Sequence, residues 1–140
     1  MMPTRIFGRK YLEEKPFVNV KITIFNSQTN RMTSFNEKCW VDTGFSGGLH
    51  VPMFRKSEAD TIGVAPKPTT LTLGGGVRAP GYVCYARLVQ IEGYDLPVPG
   101  LETELIMQGN LKHGLVGLDV LKRWIATFNG PSQTLEFYEA

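Results

Sequence analysis

Asp42, Thr43 and Gly44 follow the apolar run Cys39-Trp40-Val41 and precede Phe45-Ser46-Gly47-Gly48, and no second Asp-Thr-Gly occurs in the chain. A tight turn leaving an apolar strand holds the aspartate carboxylate on a loop. Small neighbours let backbone N–H groups approach and donate to it. One carboxylate cannot readily activate a water and also protonate a departing amide nitrogen. Two carboxylates about 3 Å apart cannot both ionise, so they share one proton and can act on one water together. With one triplet per chain, the second carboxylate has to come from a partner subunit.

Other chemistries find little support. His50 and His113 are the only histidines and lack metal-ligand spacing, and no Cys-x-x-Cys occurs, so no metal is expected. Gly44-Phe45-Ser46-Gly47-Gly48 formally fits Gly-x-Ser-x-Gly, but the short strand Leu49–Val51 follows it where a nucleophile turn would lead into a helix, which disfavours a serine nucleophile. Gly74-Gly75-Gly76-Val77-Arg78-Ala79 formally fits a dinucleotide fingerprint. Pro80-Gly81 and a β-rich run follow it, where a helix would have to face a pyrophosphate, so no nucleotide cofactor is expected. Asp119 stands at the start of a short helical pattern, where an acid stabilises the helix N-terminus. Asp60 and Asp95 lie in helix-end and turn contexts. Trp40, Trp124 and the phenylalanines read as core. Cys39 and Cys84 lie in apolar strand patterns and read as buried free thiols, with a single disulfide as the alternative.

The surrounding pattern is that of a mostly β domain. The 140 residues suffice for one domain with a modest core. Fifteen Gly and nine Pro punctuate β-branched and aromatic runs, which indicates short strands between turns. A formal net charge of +2 with scattered basic residues favours neither nucleic acid nor a membrane surface. No run approaches the roughly 20 apolar residues of a membrane span. Residues 1–16 lack the apolar core of a secretory signal, so a cytoplasmic location is the default expectation.

Val18, Val20, Ile22 and Ile24 alternate with polar residues, which predicts a half-buried strand over Phe17–Phe25. Arg31–Phe35 reads as its hairpin partner, and Glu37–Asp42 as a further strand that delivers the Asp-Thr-Gly loop. Leu49–Val51 is a short strand. Pro52 suits the first position of a helix over Met53–Ile62, which Gly63 stops. Pro66-Lys67-Pro68 breaks the chain before a strand at Thr69–Leu73, and a long return strand is expected over Tyr82–Glu92. Leu96–Met107 contains at least one more strand. A short helix near Leu118–Trp124 and strands at Ile125–Phe128 and Leu135–Tyr138 close the domain. Residues 1–16 read as an N-terminal arm of unknown role, either disordered or a dimer contact, ahead of the domain at 17–140.

Three segments in order resemble the retropepsin-like aspartic peptidases, especially their short single-domain bacterial and archaeal clan. Val41 to Leu49 is similar to that clan's active-site segment, and Gly74-Gly75-Gly76 sits where the family has its flap. Gly114 to Leu121 is similar to the family's apolar-apolar-Gly turn and the helix after it. The closing segments, Ala126-Thr127-Phe128 and Thr134 to Phe137, are similar to the family's last strands. The resemblance spans roughly Phe17 to Tyr138.

It implies a closed or orthogonally packed β-barrel protomer with one or two short helices, active as a homodimer. Asp42 and its symmetry mate would form the catalytic dyad. Thr43, Gly44 and Ser46 would support the loop: Thr43 through a hydroxyl bond across the dimer, Gly44 by close approach, and Ser46 near the outer carboxylate oxygen or as a turn cap. Gly74, Gly75 and Gly76 would cover an extended polypeptide substrate, with a loose surface hairpin as the bland alternative. Leu115, Val116 and Gly117 would form a structural turn beneath the loop, with both apolar side chains buried. The Leu135–Tyr138 strand would join a sheet shared between protomers. The rival reading is a catalytically silent dimeric module that binds peptides or serves assembly.

Overall fold

The computed structural model describes residues 5–11, 15–72, 74–95, 102–109 and 112–139. The alternation over Phe17–Asn26 produces β2, whose Val18, Val20, Ile22 and Ile24 are fully buried. Side chains of that size each contribute about 1.5–3 kcal/mol when fully withdrawn from water. A turn at Ser27–Asn30 returns the chain as β3, Arg31–Val41, paired antiparallel with β2 along its whole length. The two strands expected here are therefore one. Its inward positions include Phe35, Glu37 and Cys39. The buried Glu37 carboxylate is matched by Arg55, whose Nη2 and Nε donate to Oε2 at 2.6 and 3.1 Å. Arg55 also lies over the Phe35 ring.

After β4, Leu49–Val51, Pro52 leads into a 3₁₀ turn at Met53–Arg55 and then α1, Lys56–Thr61. The expected helix is thus shorter and begins later than Pro52. Gly63 follows it at φ +74°, a conformation glycine adopts without strain. β5 spans Lys67–Thr72 and includes Pro68. Gly74–Gly76 form a tight turn, and β6 runs from Arg78 to Ile91 straight through Pro80-Gly81, four residues earlier than expected. A strand follows the glycines, so no helix is available to face a pyrophosphate. β7, Tyr94–Asp95, is a two-residue strand where a turn was expected. β8 is Thr103–Met107, β9 is Gly114–Val116, α2 is Leu118–Leu121, β10 is Trp124–Asn129 and β11 is Thr134–Glu139. The rest of the strand region expected at Leu96–Met107, residues 96–101, lies outside the described residues.

The strands pair in the order β2, β3, β9, β4, β8, β6, and β6 pairs again with β2. A six-stranded barrel closes. The length of β6 makes this work. Its second half pairs with β2, and its first half pairs with β5 along the same edge, opposite β8. β5 and the glycine turn therefore stand out from the barrel as a hairpin. Cys39 and Cys84 are buried and free, and burial pushes the Cys84 thiol up to about 11.

A second sheet joins the chain's two ends. Arg5–Lys10 form β1, which pairs with β11, and β11 pairs with β10 on its other side. Trp124, Leu135 and Phe137 of this sheet belong to the barrel's core, with Trp124 and Phe137 stacked at 5.5 Å. Arg9 donates to Glu92 at 2.7 Å, and the same carboxylate oxygen accepts the Asn19 N–H at 2.7 Å. The N-terminal segment is thereby fastened to its own barrel. Among the described residues, no helix is long and apolar enough to cross a membrane.

A candidate active site at the Asp42 loop

β9 lies between β3 and β4, parallel to the first and antiparallel to the second. The segment from Asp42 to Gly48 must therefore cross the end of β9. Asp42 N–H donates to the Val116 carbonyl at 2.9 Å and extends one ladder, while Gly117 N–H donates to Gly48 O at 2.8 Å and extends the other. The first N–H groups of a helix have no partner within it. Here Leu118 N–H donates to Phe45 O at 2.8 Å and Asp119 N–H to Gly47 O at 3.1 Å. The loop's carbonyls thus satisfy the start of α2. The close fit leaves no room at Gly117, where a Cβ would strike the Phe45 and Gly47 carbonyl oxygens.

Within this frame, Gly44 N–H donates to Asp42 Oδ1 at 2.9 Å, and Phe45 N–H donates to Asp42 O at 3.2 Å. Among the described residues, the expected backbone donation to the carboxylate is therefore a single bond from Gly44. Asp42 is half-buried, and Thr43, Gly44 and Ser46 are exposed on the protomer. Ser46 makes no hydrogen bond to Asp42 among the described residues, and neither role expected for its hydroxyl is visible. Gly47 has to be small because a Cβ there would press into the Phe45 ring at 2.7 Å.

Asp42 opens onto a pocket of about 230 Å³. Its walls are Gly44 and Phe45 of the loop, His50 of β4, Leu71 and Thr72 of β5, Ile106 of β8 and Leu115 of β9. Three of these lie side by side across the sheet: His50 is registered with Leu115 on one side and Ile106 on the other. Their neighbours Leu49, Val116 and Leu105 point the other way and are wholly buried. This corrects the expected turn at Leu115-Val116-Gly117. Leu115 and Val116 are strand, Val116 alone is fully buried, and Leu115 faces the pocket.

Gly75 and Gly76 are not among the described residues that line this pocket. Gly75 and Gly76 have φ near +79° and +78° with nothing within 4 Å of a built Cβ. β5 meets the site instead through Leu71 and Thr72. Sequence reasoning passed over His50, Leu71, Thr72 and Ile106. Only His50 carried a local signal, since alternation with Leu49 and Val51 turns it away from the core.

Asp119 lies outside the pocket. It accepts from Thr103 Oγ1 at 2.7 Å and faces Lys122 at 3.0 Å. The Thr103 bond, then Lys122, hold its carboxyl below the usual carboxylate range. Burial pushes the His50 imidazole below its usual value, partly opposed by its interactions with the Gln108 backbone and side chain. Among the described residues no group of three or more His, Cys, Asp and Glu is gathered to hold a metal ion.

No protein-family model matches the chain, and no curated protein does. Among solved structures, a retropepsin-like aspartic protease from Rickettsia conorii is similar over 94% of this chain and 98% of that one, with a TM-score of 0.53 and 19% sequence identity. The likeness establishes the fold: a mostly β, retropepsin-like closed barrel with two short helices.

Proposed function

We propose that the protein is an aspartic endopeptidase that cleaves extended polypeptides as a symmetric homodimer. The observation that carries this reading is Asp42 itself. One carboxylate, bonded by Gly44, stands on a braced loop at the mouth of an apolar pocket. The exposure of Thr43 and Gly44 beside it supports an isologous contact, in which the same loop from a second copy meets the first across a two-fold axis. Thr43 would bond across that axis, whereas β11, expected to join a sheet shared between protomers, is paired on both edges within its own protomer by β1 and β10 and has no free edge to lend.

In the dimer, Asp42 of one chain is ionised and Asp42 of its partner is protonated. The ionised carboxylate takes a proton from a water lying between them, and the water oxygen attacks the peptide carbonyl carbon. The protonated carboxyl donates to the carbonyl oxygen. The carboxyl that took the water proton gives it to the amide nitrogen, while the other carboxylate recovers a proton from a hydroxyl of the tetrahedral intermediate. The C–N bond breaks to leave a carboxylic acid and an amine, and the dyad again holds one proton. The hairpin of β5 and β6, with its Gly74–Gly76 tip, would lie over the substrate and add backbone bonds to it.

The test is cleavage of an unfolded protein from acid to neutral pH, measured against protein concentration and a transition-state-type aspartic inhibitor. Activity should rise faster than linearly where the dimer is weak, and the inhibitor should stop it. Asp42→Asn should lower turnover by at least about a thousandfold. Added in excess, it should also poison the wild-type chain by forming mixed dimers. Cleavage by a strict monomer, or full activity in Asp42→Asn, would refute the proposal. Stoichiometric peptide binding without products would favour a silent binding module.

A further inference from the structure

The row Leu115–His50–Ile106 floors the pocket beside Asp42, and its central member is the only polar one. An aliphatic residue would fill that place without the cost of burying an imidazole. His50 Nε2 lies 3.3 Å from the Gln108 carbonyl oxygen. A carbonyl only accepts, so Nε2 carries the hydrogen and the neutral ring leaves Nδ1 as an acceptor. The Gln108 side chain also interacts with the ring, in the sense that favours its protonated form, and among the described residues no hydrogen bond donated to Nδ1 is seen. The Phe45 ring stands 6.2 Å from the imidazole, tilted by 59°, and Leu71 and Ile106 complete an apolar surround.

We propose that His50 is a specificity-determining residue: its Nδ1 selects, at the pocket beside Asp42, an uncharged substrate side chain with an apolar body and a hydrogen-bond donor at its tip. Threonine is preferred there over valine, glutamine over methionine and tyrosine over phenylalanine. Each pair matches closely in shape, so the aliphatic floor accepts both members and only the donor distinguishes them. A site holding an unmet acceptor discriminates against the analogue that leaves it unpaired. The inference rests on the peptidase reading only for the identity of the substrate; the preference itself belongs to binding.

The experiment uses peptide pairs that differ only at one residue flanking the scissile bond, scanned position by position. Both kcat/KM on the wild-type protein and Kd on Asp42→Asn are measured. At one position the donor member should be favoured by about tenfold in both, the worth of one hydrogen bond. His50→Val should erase that ratio while still binding the apolar member. His50→Gln, which keeps an accepting oxygen, should retain a preference for the donor. Equal handling of both members at every position by the wild type overturns the inference, as does an unchanged ratio in His50→Val. If His50→Val does not fold, as judged by its melting curve, loss of all donor preference in a folded His50→Gln overturns it instead. If nothing is cleaved, the peptidase reading falls, and the Kd ratios still decide the role of His50.

Discussion

The Asp42 loop and the β5–β6 hairpin are two walls of one pocket, and they are held in opposite ways. The loop is braced on both flanks: its ends extend two ladders, its carbonyls take the first N–H groups of α2, and Gly117 packs against it without room for a methyl. Among the described residues the hairpin is held by the six registered pairs from Lys67–Val83 to Thr72–Arg78, and a Cβ built at Gly75 or Gly76 meets nothing within 4 Å. A group that takes and gives protons needs a fixed position, because small misplacement is costly in rate. A cover that admits a long chain has to move. On the proposed peptidase reading, the same pocket joins a braced wall to a loosely held one.

Substitutions of glycine on each wall should separate the two. Gly117→Ala drives a methyl into the loop carbonyls, and overpacking at a braced site should cost about 3 kcal/mol. That corresponds to a fall in melting temperature of about 10 °C for a domain of this size, with activity lost alongside. A melting curve matching the wild type would mean the loop is not held by that approach. Gly75→Ala should cost less, about 1–2 kcal/mol, through left-handed backbone strain alone. Peptide turnover should nevertheless drop severalfold, since the tip loses its range of motion. Unchanged turnover would make the hairpin a bystander.

The smallest effect belongs to the peg beneath the rigid wall. Asp119 binds Thr103 and Lys122, and its carboxyl lies below the usual range. Its contribution is complete above the ordinary carboxylate value of about 4, and is lost as pH falls through the lowered folded-state value. Asp119→Asn should remove about 0.5 kcal/mol at neutral pH and flatten this part of the acid limb of stability. Denaturant titrations at pH 7 and pH 3 would check it: an equal loss at both pH values would mean that the charge contributes nothing.

What could be read from the residues alone follows the same division. Strict alternation in β2 and the Asp-Thr-Gly segment are local patterns, and both were legible. β3 was split in two at Asn36, and the burial of Glu37 beside that break was not legible. The partner of Glu37, Arg55, is 18 positions away, and only the fold brings the two together. β6 was begun too late because Pro80 reads as a break. Pro80 lies before β8 starts to pair at Tyr82, so one edge of the strand has no ladder to lose there. The pocket was harder still. His50, Leu71, Ile106 and Leu115 come from four strands, and nothing in their immediate neighbours shows that they share a floor. Asp42 could be found from its own loop, whereas the groups it would work beside depend on register.

The placement of β1 bears on how the chain can be handled. Because Arg5–Lys10 cover one side of β11, a protease nick or a shortened expression fragment that removed them would bare a row of unpaired amides and carbonyls beside Leu135 and Phe137. Uncovered borders of that kind recruit strands from other molecules. Truncated material should therefore clump or exchange segments, however sound its barrel, and fusion partners are better attached by a spacer ahead of Arg5 than in place of it.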